Sequence, residues 1–201
     1  MRLILVRHGE SEWNALGRVQ GQADPPLHPR GREEARRTAP LVRALEPELA
    51  VTSDLRRAVE TGTLLVAGAV TDPRWRECAM GDWTGRSAEE LYAEPGGRFM
   101  SWRDGLADPP GGEAWGEVCA RVAEAARELA ASGAERALVV THGGPVRAAC
   151  ATLAGLAPEH LVPVGNASIT VIELAHHVGR LAAFGVRPPS PRAAPRPPAD
   201  A

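Results

Sequence analysis

Arg7, His8 and Gly9 follow directly on an unbroken aliphatic run, Leu3-Ile4-Leu5-Val6, and Glu10 comes next. A guanidinium forks onto phosphate oxygens, a neutral imidazole beside it can act as a nucleophile, and a glycine lets backbone come close. A second run, Ala137 to Val140, leads in the same way into Thr141-His142-Gly143-Gly144. Buried strands are rigid mounts, and open α/β folds bind ligands at the carboxyl edge of the sheet. If these two strands are neighbours, both imidazoles project into one crevice. The second strand also opens a helix, whose free N–H groups would face an anion there. Two further groups fit the same edge. Ser53-Asp54-Leu55-Arg56-Arg57 follows a third apolar stretch, and either arginine could reach the crevice. Glu77 precedes Met80-Gly81-Asp82-Trp83-Thr84-Gly85. A carboxyl group partly shielded from water by such a segment is suited to donate a proton near neutral pH.

The elements that must position these groups alternate along the chain. A strand over 3–6 is followed by a polar loop, 9–29, with Asp24-Pro25-Pro26 as a turn signal, and by a helix from Pro29 to about Glu46. A short strand over 49–52 leads to a helix capped by Ser53 or Asp54 and running to about Val66. Residues 67–112 break the pattern with short segments rich in Gly and Pro. Trp75, Trp83 and Trp102 fall here, Trp115 just beyond, and the region reads as a compact insertion over the sheet edge. An amphipathic helix over 113–131 follows, with Val118, Val122, Ala126 and Leu129 on its apolar stripe. Then come the strand 136–141, a helix with Pro145 in its first turn ending near Leu156, and strands over 168–174 and 181–186 joined by a turn at 177–180. The expected fold is α/β: a three-layer α/β/α sandwich with a mostly parallel central sheet and a small insertion over its carboxyl edge. Residues 1–186 are expected to form one catalytic domain, and the Pro-rich stretch 187–201 a disordered tail.

The whole-chain balance narrows the function. With 201 residues and a formal net charge of −2, a general nucleic-acid binder is disfavoured, and any anion site must be a local positive pocket. Cys78, Cys119 and Cys150 are odd in number and in no CxxC spacing, which reads as buried thiols in a reducing compartment. Neither a leader pattern nor an apolar run of transmembrane length is present, so a cytoplasmic protein without membrane contact is expected. Clustered carboxylates and HxH spacing are missing too, and His160, His176 and His177 read as loop or surface residues. No metal and no cofactor is expected, and the assembly is a monomer or homodimer, with the tryptophans of 67–115 as a hint of an interface.

Taken in order, RHGESEWN (7–14), GRVQGQADPPL (17–27), TSDLRRAVET (52–61), ECAMGDWTG (77–85), PGGEAW (110–115), THGGPVR (141–147) and GNASIT (165–170) resemble the motifs of the histidine phosphatase superfamily, in its phosphoglycerate-mutase-like branch. The resemblance runs from Leu3 to Val186. It implies that His8 is the nucleophile that becomes phosphohistidine, that Arg7, Arg57 and His142 grip the phosphoryl oxygens with Asn14 assisting, and that Glu77 is the general acid. Ser53 and Thr61 fall at supporting positions, and Arg56 is the outer neighbour of Arg57. Ala114, Met80 and Thr84 depart from the usual Ser or Thr, Phe and Glu; none belongs to the assigned set, so they bear on substrate preference. Gln20, Arg86, Arg98 and Trp102 are the candidates for the substrate wall, with Arg103 beside them. The implied activity is metal-independent hydrolysis of a small phosphorylated metabolite. The alternatives are a 2,3-bisphosphoglycerate-dependent mutase, disfavoured by the short span between Glu77 and His142, and a non-catalytic binding relative.

Overall fold

The computed structural model of the chain describes residues 1–175 and 178–189. The pair His176-His177 and the tail from residue 190 onward lie outside the described residues. Six strands, β1 (Arg2–Arg7), β2 (Leu49–Thr52), β3 (Val70–Thr71), β4 (Arg136–Thr141), β5 (Ile169–Ala175) and β6 (Val178–Val186), form one sheet in the order β3-β2-β4-β1-β5-β6. The first four in that order run parallel, whereas β5 is antiparallel to β1 and β6 to β5.

Side chains alternate across a strand, so each central strand feeds two cores. Leu3 and Leu5 of β1, with Ala137 and Val139 of β4, face Val118, Val122 and Ala126 of α6 (Trp115–Ala131) and Val146, Ala149 and Cys150 of α7 (Gly143–Ala154). Ile4 and Val6, with Leu138 and Val140, face Ala39 and Val42 of α2 (Pro29–Arg43) and Ala58 and Leu65 of α3 (Arg56–Leu65). The result is the expected sandwich, helices on both faces of a mostly parallel sheet.

Several boundaries differ from the sequence expectation, each for a local reason. The loop 9–29 contains one helical turn, α1 (Glu12–Ala15), closed by a capping box in which Ser11 Oγ accepts from Asn14 N–H and Asn14 Oδ1 accepts from Ser11 N–H. Helix α2 stops at Arg43, and Glu46 takes a left-handed φ of 48°. Neither Ser53 nor Asp54 caps α3, whose N-cap is Leu55 without a side-chain bond, because both side chains are engaged elsewhere. Residues 70–71 join the sheet as β3 and do not belong to the insertion. The remainder carries two single 3₁₀ turns, Pro73–Trp75 and Gly81–Trp83, and two short α-helices, α4 (Ala88–Ala93) and α5 (Arg98–Arg103). Trp75 and Trp83 are buried core, which removes them as candidates for an interface.

Candidate active site

The register of β1 on β4 sets Arg7 opposite Thr141, and His8 and His142 are the next residues of the two strands. Their ring centroids stand 5.0 Å apart. Both imidazoles are buried, His8 to 2% exposure and His142 to none. His8 Nδ1 lies 2.7 Å from the carbonyl of Gly9, which fixes the hydrogen on Nδ1 and leaves Nε2 with its lone pair. Arg57 Nε donates to that Nε2 at 3.3 Å. The rest of the Arg57 guanidinium holds a loop, with Nη1 on the carbonyl of Ala23 and Nη2 on that of Gly21, each at 2.7 Å.

Close packing holds the loop after β1 in place. Gly9 N–H donates to Thr61 Oγ1 at 3.0 Å, and that hydroxyl donates to the carbonyl of Arg57 at 2.7 Å. On the other side, Gly31 of α2 presses on the backbone: a Cβ at Gly9 would stand 2.3 Å from the Gly31 oxygen, and one at Gly31 would stand 2.0 Å from the Glu10 oxygen. Only glycine fits at either position. Asn166 Nδ2 donates to the carbonyl of His8 and to Asn14 Oδ1, both at 3.2 Å. Asn14 Oδ1 is thereby taken, so its Nδ2 is the end left for a ligand.

His142 Nε2 lies 2.9 Å from Ser53 Oγ, an oxygen that already accepts from Leu55 N–H. With the Ser53 hydroxyl donating to Nε2, the His142 hydrogen sits on Nδ1. Among the described residues, that Nδ1 and Arg7 Nε are buried donors without a partner. Unpaired buried donors are costly, and an arriving oxyanion would satisfy both. Arg7 is oriented by the carbonyl of Val164.

The Glu77 carboxyl group occupies the free N-terminus of α7. Its Oε1 accepts from Gly144 N–H at 3.1 Å and from Cys78 N–H at 2.9 Å. The acceptor facing that helix end is therefore a side chain of this protein. Arg7, His8, Asn14, Gln20, Arg57, Glu77 and Trp102 together line a cavity of about 150 Å³, which Arg18, Met80 and Phe99 also reach. His142 is packed against His8 and is not part of that lining. Two of the four wall candidates, Gln20 and Trp102, stand at the cavity. Arg86 instead pairs with Glu94 and Arg98 reaches the carbonyl of Asp108, both outside the lining. Arg56 pairs with Glu60 at 2.6 Å on the outer face of α3, which leaves Arg57 as the inner arginine.

The family whose description reads Histidine phosphatase superfamily (branch 1) matches residues 3–187. This chain belongs to that superfamily. A glucosyl-3-phosphoglycerate phosphatase of Mycolicibacterium vanbaalenii is 38% identical over 192 residues, 88% of this chain and 84% of that protein. A probable phosphoglycerate mutase GpmB of an Enterobacter species is 34% identical over 182 residues, 86% of this chain and 85% of that protein. Among solved structures, a mycobacterial glucosyl-3-phosphoglycerate phosphatase complexed with VO3 superposes with a TM-score of 0.84 at 35% identity, covering 92% of this chain and 98% of that one. The protein is accordingly a histidine phosphatase acting on phosphoric monoesters of small molecules.

Charge sets the state of the two histidines in this phosphatase. Burial, then the guanidiniums of Arg57 and Arg7, hold His8 well below the ordinary histidine range. His142 is lowered well below that range by burial, Arg57, His8 and Arg7. Burial also brings Arg57 down to about 10, which still leaves it charged at neutral pH. In the unfolded chain both imidazoles titrate near ~6.5. Below that value the unfolded chain takes up protons that the folded one refuses, so native stability falls as the pH falls. Each histidine contributes a slope of up to about 1.4 kcal/mol per pH unit. Denaturant midpoints followed from about pH 7.5 down to about pH 5.5 should drop, and the His142→Asn variant should show a shallower drop. Parallel slopes would mean that His142 is protonated in the native protein.

Proposed function

We propose that this chain is a metal-independent phosphomonoesterase that works through a phosphohistidine on His8. The observation that carries the reading is the juxtaposition of a neutral His8 Nε2 with the Arg57 guanidinium, inside a cavity that Glu77 also lines. The phosphate dianion is neutralised by Arg7 and Arg57, which hold it for in-line attack. Once a phosphoryl oxygen accepts from Arg57 Nε, His8 Nε2 is free to attack phosphorus. The P–N bond forms as the P–O bond to the alcohol breaks, and Glu77 gives its proton to the departing oxygen. Glu77, now a carboxylate, takes a proton from the water that attacks phosphorus, and the P–N bond electrons return to Nε2. The Gly9 carbonyl, accepting from Nδ1–H, supports the positive charge that the ring carries between the two steps. Nδ1–H of His142 and Nδ2 of Asn14 are the neutral donors for the remaining oxygens.

Arginines do the electrostatic work that a metal would otherwise do, and among the described residues no cluster of His, Cys, Asp or Glu is arranged to hold one. The name of the mycobacterial relatives, glucosyl-3-phosphoglycerate phosphatase, makes a phosphorylated, acidic sugar derivative the first candidate. The free Cys78, Cys119 and Cys150 support a reducing, cytoplasmic setting. Residues 1–186 act as one catalytic unit in this reading, as a monomer or homodimer.

The test is phosphate release in the presence of EDTA from para-nitrophenyl phosphate and from an unactivated alkyl phosphate, for the native enzyme and for Glu77→Gln. Turnover should survive EDTA. Glu77→Gln should cost about 10²–10⁴-fold on the alkyl ester and much less on the aryl ester, whose leaving group needs no proton. Loss of turnover in EDTA, or an equal loss on both esters, would contradict the assignment. The GpmB relatives support a mutase as the second reading; interconversion of 2- and 3-phosphoglycerate only after priming with the bisphosphate would establish it.

A further inference from the structure

Glu77 ends a stretch, residues 74–77, that joins no strand. Its four consecutive carbonyls are nevertheless all taken by side chains. Arg121 Nη1 donates to the carbonyls of Arg74 and Arg76 at 2.6 and 2.7 Å, and Nη2 donates to that of Glu77 at 3.3 Å. Thr141, the residue before His142, donates through Oγ1 to the carbonyl of Trp75 at 2.6 Å. The same guanidinium binds Glu113 in a fork, Nε to Oε1 at 2.6 Å and Nη2 to Oε2 at 2.9 Å. Glu113 Oε2 in turn accepts from Ala79 N–H at 3.2 Å. All five N–H donors of Arg121 are thus spent on the backbone around Glu77 and on the carboxylate that braces it. The pair is shielded from water, with 18% and 16% of the two side chains exposed, so it is no ordinary surface ion pair.

We infer that Arg121 is the positioning residue of the proton donor: from α6, with Glu113 as its counter-ion, it fixes the backbone on which Glu77 meets the leaving oxygen. The inference rests on the reading of Glu77 as the general acid. A backbone free to sag by an ångström would take the carboxyl out of reach of that oxygen while leaving His8, Arg7 and Arg57 in place. Lysine keeps the charge but offers one compact ammonium, which cannot serve three carbonyls and a carboxylate at once.

The experiment compares the native enzyme with Arg121→Lys, Glu113→Gln, Glu77→Gln and the double variant Arg121→Lys/Glu77→Gln. Each full-length protein is assayed for kcat and KM on para-nitrophenyl phosphate and on an alkyl phosphate. Arg121→Lys should lower kcat on the alkyl ester by about 10–100-fold and on the aryl ester by less than about threefold, with KM little changed. It should add almost nothing once Glu77 is Gln, since the proton transfer it positions is already gone. Glu113→Gln should show the same selectivity in milder form, and it carries the test if the lysine variant does not fold. Equal losses on the two esters, or additive losses in the double variant, would make Arg121 a structural brace and overturn the inference. If Glu77→Gln itself shows no selectivity, the assignment of the general acid falls and this inference falls with it; a selective Glu77→Gln beside an unselective Arg121→Lys overturns the inference alone.

Discussion

His8→Ala should abolish turnover, lowering kcat by at least about 10⁴-fold on every ester, aryl or alkyl. The size of the effect follows from the geometry. Among the described residues that line the cavity, Glu77 is the one other group with nucleophilic character, and it is committed to the leaving oxygen in this reading, so nothing replaces the ring nitrogen that faces Arg57. Removing the ring also removes a buried group whose protonation opposes folding, so the variant should fold, with a cavity in place of the imidazole. Arg7 and Arg57 remain, and inorganic phosphate should still bind. The check is a rapid quench in alkaline detergent after mixing with a labelled ester: the native enzyme should carry a base-stable, acid-labile label, and His8→Ala none. Residual turnover within about tenfold of the native rate would exclude covalent catalysis by His8.

The second large effect concerns backbone fit. Gly31→Ala should destabilise the protein by about 2–3 kcal/mol, even though alanine favours a helix over glycine by roughly 1 kcal/mol. The contact decides the sign: the new Cβ would meet the Glu10 backbone, oxygen at 2.0 Å and nitrogen at 2.5 Å, and neither side of that contact is a flexible side chain. The shift must pass to residues 9–10, so kcat should fall as well. Gly116→Ala in α6 supplies the opposite case, because nothing lies within 4 Å of its Cβ. That variant should gain about 0.5–1 kcal/mol and keep its activity. Denaturant melts of the two proteins should move in opposite directions; if Gly31→Ala were neutral, the nucleophile loop would be far softer than its packing indicates.

The strand ends and their chemistry were legible because they are local: an aliphatic run fixes a buried strand, and the residue after it must emerge at the sheet edge. What escaped was long-range. By position alone Arg56 and Arg57 are indistinguishable; Glu60, which takes the Arg56 guanidinium, and the carbonyls of Gly21 and Ala23, which take that of Arg57, separate them. The helix end after β4 was expected to meet a phosphate and instead receives Glu77, a residue 67 positions away. Arg86 and Arg98 look like wall residues by composition, yet a nearby carboxylate and a carbonyl claim them first. Asn166 supports both His8 and Asn14 from across the fold, and the quoted Gly-Asn-Ala-Ser stretch was its only trace in the sequence. Strand β3 is two residues long, with too little pattern to be read.

Adjacent strands in any sheet stand about 4.8 Å apart, a spacing set by main-chain hydrogen bonds and indifferent to side chains. The two histidines, with ring centroids 5.0 Å apart at the ends of paired strands, inherit their separation from that repeat. The insertion that supplies Met80, Phe99 and Trp102 to the cavity contributes no strand to it. On the proposed reading, the sheet sets the histidine pair, and the insertion sets this part of the wall. On that reading, the stretch that carries Met80, Phe99 and Trp102 can lengthen or be exchanged between relatives while the histidine pair keeps its ruler, and a lineage can change what it hydrolyses without relearning how.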